Sequence, residues 1–163
     1  MNFNIKQDLI DSGFEGFVAI KDLWIDKSII PKEMGVYMIL NTEHDVKFIN
    51  PGVGGFFKGK DPNVDIQSLK EKYVESLVVY IGKAGGSSSK ATLFSRLGQY
   101  LRFGLTKNVA HYGGRYIWQI KNHNNLVVSW KVLNVEEPII VEKELLSFFK
   151  EEYGKLPFAN LIG

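Results

Sequence analysis

At 163 residues, with 45% hydrophobic and 13% aromatic content, the chain is long and apolar enough for one domain with a real core, and a disordered chain is excluded. No apolar run reaches membrane-span length, Met1-Asn2-Phe3-Asn4 does not open a secretion signal, and the lack of cysteine excludes disulfides and thiolate metal sites, which suits a cytoplasmic protein. The net charge of +2 hides an asymmetry: residues 1–75 carry 9 Lys/Arg against 12 Asp/Glu, residues 136–163 carry 3 against 6, and residues 76–135 carry 8 (Lys83, Lys90, Arg96, Arg102, Lys107, Arg115, Lys121 and Lys131) with no acid.

Such a stretch reads either as solvated surface or as one face for a polyanion, and the aromatics within it favour the second. Trp118, Tyr112, Tyr116, His111 and His123 lie among the cations, as expected where bases or sugars are contacted.

In chain order, Asn4–Asp11 predicts a short helix stopped near Gly13. Phe14–Trp24 is apolar without a clear period, and Trp24, Ile25, Ile29 and Ile30 are expected to pack over the core. Gly35–Leu40 is the first firm strand, Asn41–Asp45 has turn composition, Lys47–Asn63 reads as a loop, and Val64–Tyr73 as a short helix. Leu77–Ile81, β-branched and ended by glycine, is the second strand. From Ala91 the period becomes helical: Leu93, Phe94, Leu97, Tyr100 and Leu101 share one face, Ser88 or Ser89 is available as a cap, and Gly104 is available as a stop. His111–Ile120 fits a helix or a strand. Leu126–Leu133 alternates around Val128 and Trp130 as the third strand. Pro138 opens a last helix running to Tyr153, stopped by Gly154. The expected fold is a single α+β domain over residues 1–163, with a small three-stranded, mainly antiparallel sheet flanked by helices.

Five pieces then fall in an ordered set: Gly35-Val36-Tyr37, Tyr80-Ile81-Gly82, Arg96 in the following helix, a glutamate in the last helix, and Asn160 after Pro157. In this order and these contexts the chain resembles the GIY-YIG nuclease family. Tyr80-Ile81-Gly82-Lys83-Ala84 looks like the same strand in the incision subunit of bacterial excision repair. The resemblance spans about residues 35–161, leaving 1–34 as an N-terminal extension and about 42–76 as an insertion between the first two strands. Valine stands where the family name has isoleucine. Tyr100, four residues after Arg96, stands where some restriction enzymes of the family have histidine.

The resemblance implies hydrolysis of DNA phosphodiesters with one divalent metal per site, Mg²⁺ or Mn²⁺. A pentacovalent phosphorus transition state gathers negative charge, so it calls for fixed cations, a metal for the leaving oxygen and a base for water. In that scheme Arg96 clamps a non-bridging oxygen, and Glu142 is the sole protein carboxylate on the metal. Tyr37 acts as base or orients the water, with Tyr80 beside it. A phenol titrates near pH 10, so acting as a base would require nearby cations to lower that value. Tyr100 and Asn160 support the site, with Asn160 bonding backbone. Lys83 reads as a phosphate contact or a surface lysine, and His111 as a proton-transfer group or a loop histidine. Lys83, Lys90, Arg102, Lys107 and Arg115 are expected to contact nucleic acid. Helical phase sets Glu142 in the apolar stripe with Leu145, Leu146 and Phe149, and Glu144 toward water.

A catalytically silent nucleic-acid-binding module of the same fold is the alternative. A nucleotide-binding enzyme built on Gly85-Gly86-Ser87 lacks the phosphate-loop pattern, because Gly82-Lys83 is followed by Ala84. With no second DNA-binding domain apparent, specificity would come from the insertion and N-terminal segment, a homodimer or a partner protein. A restriction-type role suits the insertion and stand-alone size.

Overall fold

β-branched and aromatic runs pair into one sheet, and the helices between them cover both of its faces. A computed structural model describes residues 1–163. The elements are α1 (Lys6–Asp11), β1 (Glu15–Ala19), α2 (Ile20–Ile25), β2 (Gly35–Leu40), α3 (Ile66–Lys72), β3 (Val78–Ala84), α4 (Leu93–Phe103), β4 (Val127–Val132) and α5 (Pro138–Tyr153). 3₁₀ turns cover Phe57–Gly59, Tyr112–Gln119 and His123–Asn125. The fold is α+β, and its sheet has four antiparallel strands in the order β1-β4-β2-β3. No helix is long and apolar enough to cross a membrane.

The expected sheet of three strands is therefore short by one. β1 pairs with the outer side of β4, and a bulge between Gly16 and Val18 breaks its alternation. Gly16 has φ 89° and Phe17 φ 54°, so no period-2 pattern survives in Phe14–Trp24. A Cβ on Gly16 would lie 2.6 Å from the Trp130 ring, so glycine is required there by both torsion and space.

The sheet separates two apolar clusters. On one face Tyr37, Ile39, Tyr80, Val128 and Trp130 pack with α2, α4 and the 112–119 turn. On the other, Val36, Met38, Leu40, Val78 and Ile81 pack with Phe3, Leu9 and Phe14 from the N-terminus and with Leu145, Leu146 and Phe149 of α5. Each such side chain contributes about 1.5–3 kcal/mol of burial free energy. The first 34 residues thus supply an edge strand and core side chains on both faces.

Two local features place the site. α4 begins at Leu93, and Thr92 caps it instead of Ser88 or Ser89: Ser95 N–H donates to Thr92 Oγ1 (3.1 Å), and Thr92 N–H donates to Ser95 Oγ (2.9 Å). β3 is the sheet's other edge, and the C-terminal tail covers it. Ala159 N–H donates to Val79 O (2.8 Å), and Asn160 takes up both backbone groups of Ile81. The insertion at about 42–76 packs against the segment after α4. Buried Gln119 donates to Ile49 O (3.0 Å) and Val64 O (2.8 Å) and accepts from Val64 N–H (2.9 Å), and Phe48 bridges to Ile120.

Candidate active site

Tyr37 sits in β2 opposite Gly82 of β3. A Cβ on Gly82 would lie 2.5 Å from Tyr37 Cζ and 2.7 Å from its Oη, so this glycine is what lets the phenol lie across the strand pair. Tyr80 is two residues earlier on β3, and its ring centroid is 6.0 Å from that of Tyr37. Lys83 follows at the strand end. Arg96 comes from the second turn of α4 and Glu142 from the second turn of α5. These five side chains line one cleft of about 380 Å³ at the β3 edge, together with Ser89 and Gln99.

Arg96 is half-buried, and one of its terminal nitrogens donates to Gln99 Oε1 (3.2 Å) and to Ala110 O (3.3 Å). Both acceptors are neutral, so they fix the guanidinium without cancelling its charge. The molecule's single ion pair within 4.0 Å joins Lys47 and Asp45, so neither Arg96 nor Lys83 has a carboxylate partner. Glu142 is half-buried and Glu144 exposed, and Leu145, Leu146 and Phe149 are buried along the same side of α5. Burial raises the Glu142 carboxyl above its ordinary 4.5, opposed by Lys83, Arg96 and Lys143.

Behind the cleft lies an aromatic wall. The Tyr37 hydroxyl and His111 Nε2 are 3.2 Å apart. The His111 ring is 4.0 Å from that of Tyr100, and Tyr100 stacks on Tyr80 at 5.5 Å while donating to Gly114 O (3.1 Å). Burial, and then Arg96, pull the His111 imidazole well below 6.5, so the ring is neutral. Burial pushes the Tyr37 phenol well above 10, with Tyr80 adding to this and Arg96 opposing it. Tyr80 is pushed up to about 12, first by burial and then by Glu142. The cation-lowered phenol that a base would require is therefore not what surrounds Tyr37. Desolvation of a side chain with 1% exposure outweighs the attraction of Arg96.

Asn160, 5% exposed, bonds backbone only: its Oδ1 accepts from Ile81 N–H (2.9 Å) and its Nδ2 donates to Ile81 O (2.8 Å). Arg115 lines a neighbouring cleft with Asn160. Of the other expected nucleic-acid contacts, Arg102 and Lys107 lie apart from the cleft, and Lys90 stands between Ser89 and Ala91, which line it. Arg102 lies along the α2–α4 groove with Lys27, on a different side of α4 from Arg96. Lys107 is exposed beside the insertion, and Lys90 is exposed after the glycine-serine turn. Sequence reading missed Gln99, although it stands three residues after Arg96 on the same helix, the spacing at which side chains meet.

Glu142 is the only carboxylate lining the cleft, and no group of three or more His, Cys, Asp or Glu side chains converges anywhere in the molecule. That donor set does not suit an ion caged by protein. It does suit a Mg²⁺-type ion, which takes one or two carboxylates and completes its shell with waters and phosphate oxygens. No family model, no curated protein and no solved structure matches the chain.

Proposed function

We propose that the protein is a DNA endonuclease of the GIY-YIG type, hydrolysing phosphodiesters with a Mg²⁺ or Mn²⁺ ion at Glu142. The observation that carries this reading is the convergence of Tyr37, Tyr80, Lys83, Arg96 and Glu142, from β2, β3, α4 and α5, on one cleft whose cations have no carboxylate partners. Uncompensated cations facing a cleft bind an anion, and a guanidinium held by neutral acceptors on one nitrogen keeps its other N–H groups for a non-bridging oxygen. Lys83 adds a point charge at the strand end. A divalent ion, when bound, supplies Lewis-acid stabilisation of the leaving oxygen.

Tyr37 acts by orientation. Reference values of about 10 for phenol and about 6.5 for imidazole put proton transfer from Tyr37 to His111 roughly 5 kcal/mol uphill, and burial of both widens the gap. With the imidazole proton on Nδ1, the Tyr37 O–H donates to neutral His111 Nε2 at 3.2 Å. The oxygen's remaining lone-pair density then accepts a hydrogen bond from the attacking water and aligns it with phosphorus, and the proton that this water gives up passes to a non-bridging phosphate oxygen. Tyr80 lines the same side.

Incubation with supercoiled plasmid and Mg²⁺ or Mn²⁺ tests this reading, with nicked or linear product as the expected result. The alternative is a silent binding module of the same fold, which the raised tyrosine values favour, because no base is poised in the cleft. DNA binding without nicking across plasmid and branched substrates would select that alternative.

A further inference from the structure

A second cleft, of about 370 Å³, adjoins the first, and Tyr80 and Glu142 line both. Its other walls are the Tyr112–Arg115 turn and the tail at Asn160–Ile162. We propose that this cleft is a second phosphate subsite, built by Arg115 and Tyr112 and braced by the insertion, which takes a phosphate of the same DNA strand next to the one held at Arg96. The proposal rests on the nuclease reading for the identity of the strand.

Arg115 sits against two aromatic rings. Its guanidinium carbon is 4.0 Å from the Tyr112 ring centroid and 5.0 Å from that of Tyr116, a cation–π contact with each. One terminal nitrogen donates to Tyr112 O (3.3 Å), while Nε is buried without a partner. An arginine that only held the 112–119 turn together would be expected to spend its donors on carbonyl groups. Nε is sealed from solvent and is not offered to the cleft, but the second terminal nitrogen has no hydrogen bond within the protein, and no carboxylate lies within 4.0 Å. A guanidinium held over aromatic rings, with a terminal nitrogen free and no carboxylate beside it, can give that nitrogen to a phosphate oxygen.

The insertion holds this arrangement. The Tyr112 hydroxyl donates to Asp61 O (2.9 Å), Lys60 Nζ stands 6.0 Å from the Tyr112 ring, and Lys58 N–H donates to Asn108 Oδ1 (3.2 Å). Residues 58–61 thereby fix Tyr112, with the Lys60 charge on its ring and outside the residues that line the cleft. Across the cleft, Ile162 is 87% exposed, an apolar lip suited to a sugar or base face and of no use to inorganic phosphate. With the Arg96 cleft on the near side of Tyr80 and Glu142 and the Arg115 cleft on the far side, a strand passing both would bring its scissile phosphate to Glu142.

Binding to a fluorescein-labelled DNA duplex, followed by anisotropy in EDTA across a salt series, reads the subsite without cleavage. Arg115→Ala should bind about 10-fold more weakly or worse, and the slope of log affinity against log salt should fall by about one. Arg115→Lys, which keeps charge but loses the fork, and Lys60→Ala should each weaken binding by less, while Lys21→Ala, exposed on α2, leaves it within twofold. Thermal melting checks that each variant is folded, and the Lys60 and Arg115→Lys variants carry the test if Arg115→Ala does not fold. Thymidine 3′,5′-bisphosphate should displace the duplex at lower concentration than inorganic phosphate. Wild-type affinity and slope in Arg115→Ala, or equal competition by the two phosphates, overturns the subsite even if plasmid is cleaved. A wild-type protein that binds but does not cleave, with Arg115→Ala impaired, keeps the subsite and removes only the nuclease reading.

Discussion

Asn160 ties the chain's end to the edge of the sheet, and removing that tie has a size that follows from the structure. In Asn160→Ala, Ile81 loses both the acceptor for its N–H and the donor to its carbonyl, at 2.9 and 2.8 Å. Each buried backbone group left unsatisfied costs about 1–3 kcal/mol, so the loss is about 2–6 kcal/mol, with the lower end reached if water enters the space vacated. For a domain of this size that is a fall in Tm of roughly 4–24 °C. Urea unfolding with linear extrapolation reads the difference directly. Asn160→Asp sharpens the test. It keeps the acceptor for Ile81 N–H but sets a carboxylate against Ile81 O. It should therefore be as unstable as alanine at pH 7 and regain stability as the pH falls and protonation restores a donor. A change below about 0.5 kcal/mol in Asn160→Ala, the range of ordinary surface substitutions, would refute the tie.

Gly82→Ala should displace the Tyr37 ring, whose Cζ would stand 2.5 Å from the new carbon, so cleavage is lost and near-ultraviolet circular dichroism changes while the far-ultraviolet spectrum persists. Arg96→Ala should lower turnover by on the order of 10²-fold or more with the fold intact, since its partners are Gln99 and a carbonyl and not the core; steady-state cleavage kinetics decide it. Burial raises the Glu142 carboxyl, so its ionisation in the folded protein opposes stability. Its favourable contribution is full below the ordinary value of 4.5 and is lost as pH rises through the folded one. In EDTA, Glu142→Gln should consequently melt higher than wild type at pH 7, with the gap closing toward pH 4. A lower Tm for the variant at pH 7 would mean that Glu142 has a stabilising partner in the folded protein.

Strands β2, β3 and β4 and helices α4 and α5 are legible because a single period governs each: apolar runs for β2 and for β3, whose open edge the tail buries, alternation for β4, and a 3.6-residue stripe for the helices. β1 is not, because the bulge at Gly16-Phe17 destroys the alternation that would mark it, and only pairing with β4 makes it a strand. On residue type alone Ser88 or Ser89 is available as the cap of α4. Thr92 holds it because Ser95 three residues later closes a reciprocal pair. The gathering of Tyr37, Tyr80, Lys83, Arg96 and Glu142 at one edge follows from strand register and helical phase, both readable in the chain. The His111–Tyr37 contact is not readable in that way, since it depends on how an irregular segment folds back over β2. Likewise Lys47–Asn63 reads correctly as irregular, but nothing in its composition says that Asp61 and Lys60 meet Tyr112. The clustering of Arg102 with Lys27 instead of Arg96 reflects the six-residue offset along α4, which turns the two arginines to different sides.

The most direct test of the account compares Glu142→Gln and Glu144→Gln for Mg²⁺-dependent plasmid cleavage, alongside DNA binding. Two residues apart on α5, the half-buried Glu142 faces the cleft with Arg96, and the exposed Glu144 faces water. Glu142→Gln should abolish cleavage and weaken metal binding while still binding DNA, and Glu144→Gln should cleave like wild type. An active Glu142→Gln, or a dead Glu144→Gln beside it, would contradict the assignment of this cleft as the place where the phosphodiester is cut.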